Sequence, residues 1–240
     1  MSGENIYLIT SLPSLGALGS AAPIAPSDML AAARPQPDAL AIAEAIFVGD
    51  DLLQREAVLA GELDQAHPAV LSEAQVRDEE PLPGQLAEDD AHEVGGEADP
   101  AASADRLWDR YFRHAAETGR RSQCPFLTEW VAFEVGLRNA LVEQRAKMLE
   151  LDARDFLVAE ELGRPAEDYA DVIRAWAEAA DPLAGLRVLD ERRWAWIGEH
   201  DAYFTFRNDE LGAYAARLML LTRWKRLEDA AGGEESNRDR

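Results

Sequence analysis

Apolar and polar positions recur along most of this chain at the spacing of an α-helix. The clearest case is residues 125–149, where Phe126, Trp130, Phe133, Leu137, Leu141 and Met148 fall on one helical face and Pro125 suits the first turn. Upstream, "ADRLWDRYFRHAAETG" places Leu107, Trp108, Tyr111 and Phe112 on one side, with Gly119 as the expected stop. Downstream, the pattern predicts a short helix over 152–161, another over 167–180, and a third opened by the Asp181-Pro182 pair and carrying Trp194, Trp196 and Ile197. A last helix, capped by Asn208 or Asp209, runs through Leu211, Tyr214, Leu218, Leu221 and Trp224. The polar stretch 231–240 reads as a disordered tail.

The N-terminal half is less regular. "NIYLITSLPSL" is a short β-prone or buried run that stops at Pro13, which leaves open a short extended segment there. Gly16, Gly19, Pro23 and Pro26 predict a loop, Ser27 a helix cap before "DMLAAA", and residues 37–61 one helix, or two broken near Gly49. Glu and Asp crowd 72–102 among Pro81, Pro83, Gly84, Gly95, Gly96 and Pro100, the composition of an acidic linker or mobile loop. The expected organisation is an N-terminal helical part (1–71), that connector (72–102), a C-terminal helical bundle (103–230) and the tail. The class is all-α.

Composition narrows the function. At 240 residues, 47% hydrophobic and with six tryptophans, the chain has enough apolar mass for a sizeable core. A formal net charge of -22 opposes binding to a phosphate backbone, so no nucleic-acid partner is expected. It also opposes adsorption to anionic lipid. No run approaches the ~20 apolar residues of a membrane span, so no direct insertion is expected either. The first positive side chain is Arg34 and Pro13 interrupts the early apolar run, against a signal peptide. Cys124 is the sole cysteine and fits a reducing, cytoplasmic setting.

The residue patterns of catalysis are missing from the sequence. His67, His92, His114 and His200 share no spacing of three or four, and no Glu-x-x-His pair occurs. Gly16 and Gly19 lack the Lys-Ser/Thr ending of a phosphate loop, and no Gly-x-Ser-x-Gly elbow is present. A non-enzyme without cofactor or metal is expected. What remains is helix surface rich in aromatic rings and arginine. In "LDERRWAWIGEHDAYFTF", Arg192, Arg193, Trp194 and Trp196 are either core or a partner surface, because Trp and Arg serve both. Glu134 and Arg138, one turn apart, have the spacing of a surface ion pair.

"FLTEWVAFEVGLRNALVEQRA" resembles the repeated helical signature of the C/d-type central-stalk family of V-type and A-type rotary ATPases. That signature reads roughly Phe-Leu-x-x-Trp-Leu-x-x-Glu-Ile-Asp-x-x-Asn-Ile; Phe126, Leu127, Trp130, Glu134 and Asn139 match it, while Gly136 stands where the family has Asp. "YLITSLPSL" and the stretch from "DPLAGLRVLDERRWAWIGEH" to "LMLLTRW" are similar to a shorter bacterial family whose genes lie within V-type ATPase operons. The resemblance implies an all-helical cap on the membrane rotor ring that receives the central shaft. It would be cytoplasmic and peripheral to the inner membrane through protein partners, and would couple rotation without binding nucleotide. Phe126, Trp130, Glu134, Arg138 and Asn139 would then form a packing motif. The alternative is a helical adapter or assembly factor with an unrelated partner.

Overall fold

A computed structural model describes residues 5–87, 100–164 and 168–238, with side chains described at 5–87, 103–164 and 168–230. The described residues are mainly helical and contain no strand. The order is α1 (Ile6–Ser11), α2 (Pro26–Ala33), α3 (Pro37–Leu59), α4 (Glu73–Val76), α5 (Pro100–Arg121), α6 (Pro125–Leu149), α7 (Ala170–Ala177), α8 (Pro182–His200) and α9 (Asn208–Arg238). Proline opens α2, α3, α5, α6 and α8, where its missing N–H leaves no gap in the ladder.

Several elements differ from the sequence reading. The N-terminal run is the single-turn-and-a-half helix α1, not an extended segment; with only six residues it shows no period to read. Ser27 lies inside α2, whose entry is closed by Asp28, the carboxylate accepting from Ala25 N at 3.1 Å. Residues 152–161 hold two 3-10 turns, Ala153–Asp155 and Glu160–Leu162, rather than a helix. Within 72–102, α4 forms behind the cap Ser72 and α5 starts at Pro100, while 88–99 lie outside the described residues. The backbone of 231–238 is the last part of α9, and 239–240 lie outside the described residues.

α3 is continuous through Gly49, for a tertiary reason. A side chain at Gly49 would begin 2.5 Å from the Tyr111 hydroxyl. That hydroxyl reaches across from α5 to donate to Ala45 O at 3.0 Å. Glycine here admits a tyrosine rather than breaking a helix.

α3 packs chiefly on α9 and α5, α6 on α5 and α9, and α7 on α8. One core therefore serves both halves of the sequence. It joins Met29, Ile42 and Phe47 to Phe112, Phe133, Leu137, Trp196, Ile197, Leu211 and Leu218.

Candidate functional site

The site is built around α6. Cys124 occupies its cap position without capping it. The cap comes instead from the start of α9, where Asp209 accepts from Phe126 N at 2.9 Å. Neighbouring Asn208 donates to Ser122 O at 2.6 Å and accepts from the Asn5 amide at 2.6 Å. The first turn of α9 thus ties α1, the α5–α6 turn and α6 together. The Cys124 thiol is buried there, and burial pushes its pKa up to about 12, which leaves it protonated and unreactive.

The apolar face of α6 clasps a tryptophan from α8. Phe126, Trp130 and Phe133 surround Trp196 with ring centroids 5.7, 5.6 and 5.0 Å away, and His200 stacks on it at 3.9 Å. Trp196 is 2% exposed, so it is core and not part of a partner surface. The other residues considered for that surface are also engaged inward. Arg193 is nearly enclosed between two carboxylates. The Arg192 guanidinium lies 5.3 Å from the Phe133 ring, and half-buried Trp194 lies under Arg217 at 5.8 Å. Helical spacing turns Trp194, Trp196 and the two arginines toward different neighbours.

The polar residues of the motif do not pair with one another. Glu134 accepts two hydrogen bonds from Arg193, at 2.7 and 3.0 Å, in a bidentate bridge from α6 to α8. Arg138 instead reaches Asp105 on α5 at 3.2 Å and stacks over Trp108 at 4.7 Å. The surface ion pair read from the sequence is therefore absent: the tertiary partners present better geometry than the one-turn neighbour. Asn139 brackets Val158, donating to its carbonyl at 2.9 Å and accepting from its N–H at 3.2 Å. At the departure from the family pattern, the Tyr169 ring lies against Gly136 and its hydroxyl donates to Phe133 O at 3.1 Å. Any side chain at 136 would collide with it.

From Glu134 the charges run on through the interior. Arg193 also donates to Asp190 at 3.0 Å, Asp190 accepts from Arg223 at 2.9 Å, and Arg223 donates to Asp50 at 2.9 Å. Arg226 closes the chain on Asp50 at 2.5 Å. Four helices, α6, α8, α9 and α3, are thereby linked by alternating carboxylates and guanidiniums. Burial alone would raise the Asp50 pKa, but Arg223 and Arg226 hold it below the usual range. Burial would likewise lower that of Arg193, and Glu134 with Asp190 raise it instead. Such a network adds little net stability over an apolar core, yet it penalises any rotation of one helix that separates a pair. Asp50, Asp190 and Arg223 escaped the sequence reading; the available signal was a charge set in an apolar run, as in "AIFVGDDLL" and "LMLLTRW".

Two cavities flank this chain of charges. One of about 240 Å³ is lined by Trp108, Trp130, Glu134, Arg138, Arg193 and Arg223. The other, about 360 Å³, includes Phe47, Asp50, Asp51, His67, Lys225 and Arg226. Asp50 and Arg226 in the larger cavity, and Glu134, Arg193 and Arg223 in the smaller, belong to the chain of ion pairs just described, an arrangement that orients helices. Among the described residues no group of three His, Cys, Asp or Glu side chains is placed to hold a metal, and no helix is long and apolar enough to cross a membrane.

Besides Leu53 and Leu59 on α3 and Leu183 on α8, two groups of large apolar side chains reach solvent among the described residues. One gathers around the start of α9: Tyr7 and Phe204 are each 84% exposed and Tyr203 is 58% exposed. The other is the far end of α6, where Met148 and Leu149 are 65% and 68% exposed, with Leu151 beyond them. The start of α6 is fixed to the start of α9 through Asp209, and its 25 residues span about 37 Å. The two patches therefore sit at opposite ends of one helix. Comparison with family models, with curated proteins and with solved structures finds no match to this chain.

Proposed function

We propose that this chain is a non-catalytic, C/d-like component of the central stalk of a bacterial V-type rotary ATPase, coupling the shaft to the membrane rotor ring. The observation that carries the reading is the two-ended geometry. An apolar patch lies at each end of α6, and between them four helices are locked by the Glu134–Arg193–Asp190–Arg223–Asp50 chain. A coupling part needs two contact surfaces and a body that does not shear between them. The motif residues support the same reading, since Phe126, Trp130, Glu134 and Asn139 all hold α6 to its neighbours, as a repeated packing signature requires. The acidic surface suits docking on basic shaft or ring loops.

The test is to purify the tagged full chain from its own cell's membranes and identify companions by mass spectrometry. Shaft and rotor-ring proteins in a stable ratio are expected. A clean monomer at low and high salt contradicts the stalk reading and favours the adapter with an unrelated partner, which the same two-ended geometry would serve.

A further inference from the structure

We propose that the cavity of about 240 Å³ among α3, α5, α6, α8 and α9 is a binding site for a small aromatic monocarboxylate. The inference stands apart from the coupling reading and uses neither apolar patch. It is carried by an enclosed donor that has no acceptor. Arg138 lines the cavity, and its Nε is shut off from solvent without a hydrogen-bond partner. The same guanidinium gives one amino group to Asp105 at 3.2 Å and lies 4.7 Å from the Trp108 ring centroid, so it is held in place. A buried charged N–H without an acceptor is costly, and a guanidinium has five donors and no acceptor of its own. An acceptor on a ligand, set beside Nε, recovers that cost.

The acids at the cavity are already engaged. Glu134 gives both oxygens to Arg193, Asp190 serves Arg193 and Arg223, and Asp50 serves Arg223 and Arg226. Glu56 accepts from the Trp108 indole N–H at 2.6 Å. Arg145, exposed and two turns along α6 from Arg138, lies 5.3 Å from the Trp176 ring centroid and has no ion pair among the described residues. What is unspent in the lining is thus donor capacity on two guanidiniums about 10 Å apart, which a carboxylate matches and an amine does not. The net charge of -22 acts from afar and is screened beyond about 10 Å, so the local arginines decide. The walls set the rest of the ligand. Trp108, Tyr111, Phe112 and Trp130 present rings to it. An engineered apolar cavity of about 150 Å³ holds benzene, so about 240 Å³ suits one or two rings with a carboxylate. The cavity opens where Leu53, 37% exposed, and Arg145 meet solvent.

The test is a calorimetric titration of the full chain with indole-3-acetate and with uncharged 3-methylindole, with the Tm of every variant recorded alongside. Indole-3-acetate is expected to bind more tightly by about 10-fold or more. Arg138→Met keeps the stem on Trp108 and should weaken indole-3-acetate by about 10- to 100-fold, the worth of a charge-assisted hydrogen bond, while leaving 3-methylindole unchanged. Leu53→Trp, which fills the cavity from its solvent side, should block both compounds and decides the matter should Arg138→Met fail to fold. No binding of indole-3-acetate at millimolar concentration overturns the inference. Equal affinity for the two compounds overturns the carboxylate, and undiminished binding by either folded variant overturns the site.

Discussion

Glu134 and Arg138 lie one helical turn apart yet do different work, and substitution should separate them. Glu134→Gln leaves the Arg193 guanidinium with Asp190 alone, and Asp190 already serves Arg223. Breaking a pair this enclosed costs about 3–5 kcal/mol, a fall in Tm on the order of 10 °C for a chain of this length. Arg138→Met keeps the stem packed on Trp108 and loses a half-exposed pair, at about 1 kcal/mol. Thermal melts of the two variants check the contrast, and equal shifts would contradict the network described. Gly49 offers a second test by sign. Gly→Ala inside a helix ordinarily stabilises by about 0.5–1 kcal/mol. Here the added methyl meets the Tyr111 hydroxyl at 2.5 Å, so Gly49→Ala should destabilise. The penalty should shrink in a Tyr111→Phe background, where that oxygen is gone; strictly additive effects would show that the contact is not the cause.

At the scale of the element, the second half of α3 holds the backbone that follows it. Asp51 accepts from the N–H groups of Ala69, Val70 and Leu71 at 2.8, 2.8 and 2.9 Å, and Gln54 accepts from His67 N at 2.7 Å. Burial pushes the Asp51 carboxyl up to about 6, against the three N–H groups that favour its charged form. The folded state then binds this proton more tightly than the unfolded chain, whose carboxyl titrates near 3.9. The Asp51 contribution to stability is therefore full below about pH 4, weakens as pH rises to about 6, and is level beyond. Denaturant unfolding of the wild type and Asp51→Asn at pH 4.5 and 7 checks this: the gap between them should be larger at pH 4.5. A gap that widens toward pH 7 would mean that the N–H groups outweigh burial. The helices themselves were legible wherever a period could repeat, as in α6, α8 and α9. They were illegible where it could not. α1 is too short to show one, the 3-10 turns around 153–162 mimic it, and Gly49 reads as a breaker until Tyr111 is seen beside it.

At the scale of the whole molecule, the aromatic run after Leu189 shows what sequence can and cannot supply. Its wealth of rings was visible, but their direction was not. Trp196 turns into the α6 clasp, while Tyr203 and Phe204, past the end of α8, turn into water. Helical spacing ceases at His200, and the direction of a loop side chain is set by distant clamps such as Glu210. The polar members of the motif were likewise visible as a set, whereas their partners on α5, α8 and the 3-10 segment depend on how the helices cross. The central proposal, that this chain joins a shaft to a rotor ring, is tested most directly by weighing what forms when the full chain is mixed with purified shaft and rotor ring. Light scattering on the eluting complex should give the mass of all three together. A chain that binds one partner only by excluding the other would contradict the account.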